Sequence, residues 1–253
     1  RGRTPSDTRR WARLLLAEIC CAEMLCVLLG SLRPSHAPSR ACPPAASLVL
    51  SDEGDWLAAS KPAGITVHEG SDSLLAALRA DGYGELLPVH RLDRDTSGVL
   101  LLAKRPEAAA ALQAALAETA VKQYRGVLVG VPPARRGRWA GALSNRAEGR
   151  RNPRGVAAER VSAETAYDLV SDNGFLASAD LTLAVGGRTH QIRRHAASAG
   201  SPIFGDRRYG NPRRNAQLQE RYGFDGMALH ASLLRLVVDG VAFEFEAPLP
   251  ASW

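Results

Sequence analysis

An α+β fold, with a mixed and largely antiparallel sheet flanked by helices and loops, is predicted by three features of this sequence. Strand-like segments outnumber helical ones. Two late strands are joined by the tight turn Asp239-Gly240, which suits an antiparallel hairpin. No repeat period, GxGxxG or P-loop accompanies them, so a doubly wound nucleotide-binding sheet is not indicated.

Taken in order, Ser47 to Leu50 and Trp56 to Ala59 are short apolar runs separated by Asp52-Glu53-Gly54-Asp55, the punctuation of a hairpin. Ser73 to Ala80 is a short helix with Ser71 or Asp72 as its cap. Gly98 to Ala103 is a buried strand. Pro106 to Ala120 is a helix, with proline in the first turn and Leu112 and Leu116 at helical spacing. Lys122 to Val131, Thr165 to Val170, Phe175 to Val185, Leu229 to Val238 and Val241 to Glu246 have strand character. Thr189 to Ser198 is a helix, with Thr189 as its cap. Between Pro133 and Arg160 lies a basic, poorly periodic segment holding Arg135, Arg136, Arg138, Arg146, Arg150, Arg151, Arg154 and Arg160. It reads equally as a solvated loop or as a phosphate contact.

The chain has 253 residues, enough for one large domain with an extension. A net charge of +6 favours an anionic partner, nucleic acid first. The charge is almost all arginine, since Lys61, Lys104 and Lys122 are the only lysines, and this composition also follows from a GC-rich coding bias. Cys20, Cys21, Cys26 and Cys42 all precede residue 45 and match neither a zinc ribbon nor a secreted disulfide framework. Trp11 to Leu32 looks superficially like a signal peptide, but Glu18 and Glu23 interrupt it. We read residues 1–45 as a non-core extension, translated from upstream of the true start, ending in a linker marked by Pro34, Pro38, Pro43 and Pro44. Residues 46–253 form the catalytic domain, in a monomeric cytoplasmic protein without a membrane anchor.

The most informative stretch is His90-Arg91-Leu92-Asp93-Arg94-Asp95-Thr96-Ser97-Gly98, a charged turn directly before an apolar strand. A core does not need such a cluster, whereas a loop held by a rigid strand is where catalytic carboxylates tend to stand. Lys61-Pro62-Ala63-Gly64 places a stiff and a permissive residue beside a lysine at a strand end. Lys122 and Tyr124 share one face of a strand. His190 and Arg193, three apart, share one face of a helix, while Arg194 lies about 100° round from Arg193 and faces solvent or phosphate. The histidines lack an HExxH-like pair, so metal binding is not expected.

Together these segments resemble the RluA-type family of RNA pseudouridine synthases. HRLDRDTSGVLLLAK is similar to the signature around that family's catalytic aspartate, KPAGITVH to its first motif and KQYRGVLVG to its tyrosine motif. GRTHQIRRHAASAGSPIFGDRRYG resembles the arginine motif with its following GD-x-x-YG loop, and Leu229-His230-Ala231 the late LHA element. The resemblance runs from Leu48 to Pro250, in the family's order. It implies a pseudouridine-synthase catalytic domain that isomerises uridines in tRNA, ribosomal RNA or both, without cofactor or metal. Asp93 would be the catalytic carboxylate, either forming an adduct at the anomeric carbon or abstracting the ribose 2′ proton. Tyr124 would stack on the uracil and is a candidate for taking the C5 proton. Arg193 would pair with Asp93 and keep it ionised. His90, Arg91, Lys61, Lys122, Arg188, His190, Gln191 and Leu229 are the implied substrate-binding residues, with Arg91 holding a flipped nucleotide. No S4-type RNA-binding domain is recognisable, so target selection falls on the catalytic domain, through the arginine-rich segment and Arg213-Arg214. A catalytically silent RNA-binding protein on the same fold is the alternative, and a carboxylate-dependent hydrolase lacks a second carboxylate in register.

Overall fold

The computed structural model describes residues 48–68, 70–144 and 150–253. The expected N-terminal extension with its cysteines and proline linker, and Arg146, lie outside the described residues.

The strands are β1 (Val49–Asp52), β2 (Trp56–Lys61), β3 (Leu87–Pro88), β4 (Ser97–Ala103), β5 (Val121–Val129), β6 (Arg136–Ala140), β7 (Glu164–Asp172), β8 (Leu176–Val185), β9 (Leu229–Val238) and β10 (Val241–Glu246). Among the described residues four α-helices accompany them: α1 (Leu74–Ala80), α2 (Pro106–Glu118), α3 (Gln191–Ser198) and α4 (Pro212–Tyr222). One sheet runs in the order β1-β2-β4-β9-β5-β8-β7-β6, with β3 added to β4 and β10 to β9. The mixed, largely antiparallel sheet is therefore as expected. Among the described strands the parallel contact is β4 with β9, through Ser97 opposite His230 and Gly98 opposite Ala231.

This short seam joins two halves. In the N-terminal half, alternation sends Leu57, Ala59, Leu100 and Leu102 to the face covered by α1, and Trp56, Ala58, Val99, Leu101 and Ala103 to the face covered by α2. Both faces of β4 are buried, which explains its unbroken apolar run. In the C-terminal half, Leu128, Tyr167 and Leu181 pack on Ile192 and Ala196 of α3, while Val127, Val129 and Leu176 pack towards Leu218 and Tyr222 of α4. At the seam, Gly98 has φ +112°, and a Cβ there would lie 2.1 Å from the Ala231 carbonyl oxygen. Only glycine lets the two halves meet this closely.

Several local readings are corrected. The cap of α1 is Ser73, whose Oγ accepts from the Ala76 N–H at 3.2 Å, and neither Ser71 nor Asp72 serves. Thr189 does not cap α3; the residue before the helix is His190, in the left-handed region at φ 55°. The arginine-rich segment contains β6, whose Trp139 stacks on Tyr167 at 4.8 Å. Helix α4 follows from Asn211, which caps it by accepting from the Arg214 N–H, and from Gly223, which ends it at φ 68°. Among the described residues, no helix is long and apolar enough to cross a membrane.

Candidate active site

The loop bearing Asp93 is secured before it reaches the sheet. Lys61, fully buried at the end of β2, donates from Nζ to the carbonyls of Pro62 (2.8 Å), Ile65 (2.9 Å) and Arg94 (3.0 Å). Gly64, at φ +89°, donates its N–H to Arg94 O at 2.9 Å and accepts Arg94 Nε at 2.8 Å. The Thr96 N–H then returns to Asp93 O at 3.1 Å, closing a turn. Lys61, expected at the substrate, thus staples two loops together, and it is not among the residues lining the cleft between this loop and α3. Its charge is met by three carbonyl dipoles, so Lys61→Met would leave three buried or half-buried acceptors short of a donor. We expect a stability loss of about 3 kcal/mol in urea unfolding, each such group costing roughly 1–3 kcal/mol. His90 also works inwards: its Nε2 accepts the Leu101 N–H at 3.0 Å. Burial, helped by the nearby Lys122 charge, pushes its pKa down to about 3, so it meets neutral pH uncharged.

Opposite this loop stands the first turn of α3. Arg193 donates from Nη1 to Asp93 Oδ2 at 2.7 Å, and His190 Nε2 lies 3.4 Å from Asp93 Oδ1. The three-residue spacing does bring both side chains to one carboxylate. Arg193 is also held from behind, with Nε and Nη2 donating to the two oxygens of Asp206 at 2.7 and 3.0 Å. Burial opposes its charge, but the bonds to Asp206 and Asp93 outweigh that and raise the guanidinium above its ordinary value. The guanidinium therefore stays charged throughout the physiological range. Burial lowers the pKa of His190, with the Asp93 charge pulling the other way.

The neighbours on this helix have other tasks. Arg194, expected to face solvent or phosphate, is fully buried and donates to Pro153 O (2.5 Å), Ser144 O (2.8 Å) and Thr189 O (3.2 Å). Gln191 spends its side chain on the backbone too. Its Oε1 accepts the Gly187 and Arg188 N–H groups, and its Nε2 donates to Glu164 O and Val185 O. It shapes the Gly187-Arg188 turn, and its amide has no hydrogen bond to spare for substrate.

Between the loop and the helix opens a cleft of about 240 Å³, lined by His90, Arg91, Asp93, Lys122, Tyr124, Arg188, His190, Gln191, Arg193 and Leu229 among others. The cleft gathers every expected site residue except Lys61. From β5, Lys122 and Tyr124 enter it together, as period-two alternation requires. Beside Tyr124 the β5–β9 register shifts, Gln123 lying opposite Leu233 but Arg125 opposite His230. Burial lowers the Lys122 ammonium, and burial with the Asp93 charge pushes the Tyr124 phenol far up. Tyr124 is a neutral phenol at any pH near 7. Arg91 is exposed at the rim. A carboxylate gripped by a guanidinium, a flat aromatic wall and rim cations suit an unstacked nucleotide whose anomeric carbon is presented to the carboxylate.

Residues 55–198 match the family model described as RNA pseudouridylate synthase, and the chain belongs to that family, in its RluA-type branch. It is an isomerase that converts uridine to pseudouridine in RNA. It is 34 % identical over 222 residues to ribosomal large subunit pseudouridine synthase C of Escherichia coli strain K12, covering 81 % of this chain and 67 % of that protein. The protein of the same description from Vibrio vulnificus is 35 % identical over 231 residues, covering 83 % and 68 %. In fold the chain is similar to human RNA pseudouridylate synthase domain containing 1, with a TM-score of 0.69 at 22 % identity over 86 % of this chain and 90 % of that one. The human domain containing 4 gives 0.65 at 23 % identity over 82 % and 90 %.

Proposed function

We propose that this chain isomerises uridines of large-subunit ribosomal RNA, with Asp93 as the reacting carboxylate, Arg193 as its ion-pair partner and Tyr124 as the wall against which the base stacks. The observation that carries this reading is the environment of Asp93. Its Oδ2 is held by Arg193 at 2.7 Å, while its side chain keeps 20 % exposure towards a cleft walled by Tyr124. An aimed and partly open carboxylate, paired with a guanidinium, suits either route. In the first, Asp93 bonds to the anomeric carbon as uracil leaves. The uracil turns, C5 attacks the same carbon, and the C5 proton is lost as the ester bond breaks. In the second, Asp93 takes the 2′ proton as uracil leaves, giving a glycal. C5 then adds to the anomeric carbon as Asp93 returns the proton to C2′, and the C5 proton is lost while N1 gains one. Tyr124, as a neutral phenol, offers a stacking face and a hydroxyl in both. Arg91, Lys122, Arg188, His190 and Leu229 would contact the flipped nucleotide, while Lys61, His90 and Gln191 hold the loops that carry those contacts.

The ribosomal target rests on the description of the relatives in Escherichia coli and Vibrio vulnificus. We take the catalytic unit to be a monomer spanning residues 46–253 and working in the cytoplasm. The isomerisation moves no electrons to or from an acceptor, so it calls for neither metal nor cofactor. The decisive test is tritium release from transcripts labelled at uridine C5, comparing ribosomal RNA fragments with tRNAs. Release from large-subunit fragments is expected. Release from tRNA alone would overturn the target, and release from neither would favour a silent RNA binder.

For the RNA track, the arginine-rich segment divides. Arg136 and Arg138 are paired with Asp168 and Glu164, Arg135 donates to Leu169 O, and Arg160 donates to Gly155 O. Arg150, Arg151 and Arg154 stay exposed, and Arg150 Nη1 lies 3.5 Å from Gly210 O, next to the loop after α3. Exposed Arg213 and Arg214 begin α4 just beyond. Replacing Arg150, Arg151 and Arg154 by Ala should weaken RNA binding and lower the slope of log K against log salt by about 2, each phosphate contact contributing roughly 0.7–0.9. Filter binding between low and moderate salt measures this, and an unchanged slope would remove these arginines from the interface.

A further inference from the structure

The loop Gly205–Gly210 carries no role in the reading so far, yet it touches both groups that touch Asp93. Asp206 is fully buried. Its Oδ2 accepts Arg193 Nε at 2.7 Å, and its Oδ1 accepts Arg193 Nη2 at 3.0 Å and the N–H groups of Arg208 (2.9 Å) and Tyr209 (3.0 Å). Tyr209 is 2 % exposed. Its hydroxyl lies 2.9 Å from His190 Nδ1, its ring meets the His190 ring edge-on at 5.6 Å, and the Arg193 guanidinium sits 5.2 Å from its centroid. Helix α4 holds the loop in turn: Asn215, itself buried, donates from Nδ2 to Asp206 O at 3.0 Å. Neither Asp206 nor Tyr209 is among the residues lining the cleft.

We infer that Asp206 and Tyr209 are positioning residues for the isomerisation, acting on Asp93 through Arg193 and His190 respectively. The inference rests on the assignment of Asp93 as the reacting carboxylate. A guanidinium on a long side chain has many rotamers, and holding Asp93 with one Nη1 bond alone would leave Arg193 free to swing. The bidentate grip of Asp206 removes that freedom, because planar fork-to-fork pairing fixes the guanidinium in orientation as well as distance. Since the grip uses Nε and Nη2, Nη1 is the edge left to face the cleft. The second oxygen of Asp93 is approached by His190, whose ring is set by the Tyr209 hydroxyl. The two backbone N–H bonds to Asp206 hold its carboxylate in place. The two oxygens of Asp93 are thus aimed from one loop, by two separate intermediaries.

The test uses the full chain and large-subunit ribosomal RNA transcripts, with kcat and KM measured for Asp206→Asn, Tyr209→Phe, His190→Ala, the double variant His190→Ala/Tyr209→Phe, and Asp93→Asn alongside. Tyr209→Phe should keep its melting temperature within a few degrees and its KM within about twofold, while kcat falls about tenfold. Asp206→Asn should lower kcat about a hundredfold, the scale expected when a reacting group is misplaced by about 1 Å. If Tyr209 acts through His190, adding Tyr209→Phe to His190→Ala costs nothing further, a non-additivity that a purely structural role would not produce. Folded Tyr209→Phe with wild-type kcat, or additive losses in the double variant, overturns the inference. Should Asp206→Asn fail to fold, the Tyr209 pair decides. Full turnover by Asp93→Asn would instead bring down the underlying assignment, which separates the two failures.

Discussion

Asp93→Asn should reduce turnover by about 10⁴-fold or more while leaving RNA affinity within about threefold, because it removes the reacting charge and keeps the shape. An amide oxygen neither forms a stable bond at the anomeric carbon nor accepts a ribose proton at neutral pH. The fold should tolerate the change. Asp93 keeps 20 % exposure, and Arg193 retains its two bonds to Asp206, so the guanidinium is not stranded in the interior. The stability cost should be about 1 kcal/mol, the ordinary net contribution of one hydrogen bond. Single-turnover tritium release, filter binding and thermal unfolding together measure these three quantities. Turnover within tenfold of the wild type would remove Asp93 from the reaction.

The largest effect on stability is expected at Gly98. A methyl group there would sit 2.1 Å from the Ala231 carbonyl oxygen, on a backbone at φ +112°. Neither partner can give way cheaply. The obstacle is main chain at the seam where β4 meets β9, and Ser97 beside it shares a buried bond with His230 at 2.8 Å. Gly98→Ala should cost about 3–5 kcal/mol, combining left-handed strain with forced separation of the strands. Gly54→Ala is the control. It has φ +81° but open space around a Cβ, so only the strain of about 1 kcal/mol should appear. Equal losses at both positions in urea unfolding would show that the seam does not need its close approach.

Much of this was legible in the sequence where a local signal and the tertiary outcome coincide. The ranges of β9 and β10 agree with their alternation, and Asp239 and Gly240 both have positive φ, as a tight hairpin turn demands. Helix α4 was missed although Asn211-Pro212 and Gly223 carry its start and stop signals, because its arginines drew attention as charge alone. The strand β6 was hidden in the same way, its alternation being short and its outward residues arginine. At the site, spacing was enough to unite His190 with Arg193 and Lys122 with Tyr124. It set Arg194 apart from Arg193 but could not show that Arg194, Lys61 and Gln191, all polar residues inside motifs, turn to backbone groups. Whether such a side chain faces a substrate or a buried carbonyl depends on segments far off in the chain. Arg194, for instance, is met by Ser144 and Pro153, and Lys61 by Arg94. Asp206 lay in a quoted motif, and nothing local reveals that its carboxylate turns back to Arg193.

The seam has a consequence for how the protein comes into being. Ser97 and Gly98 are partnered by His230 and Ala231, and Asp93 by Arg193, a hundred positions further on. Contacts of such long range form late, since the intervening chain must first surrender its freedom. A nascent chain that has emerged only as far as β5 already displays Asp93 and Tyr124, but not the guanidinium that aims the one or the strand that backs the other. The grip on Asp93 can therefore close only once the helix bearing Arg193 has emerged, and the seam only once β9 has followed it.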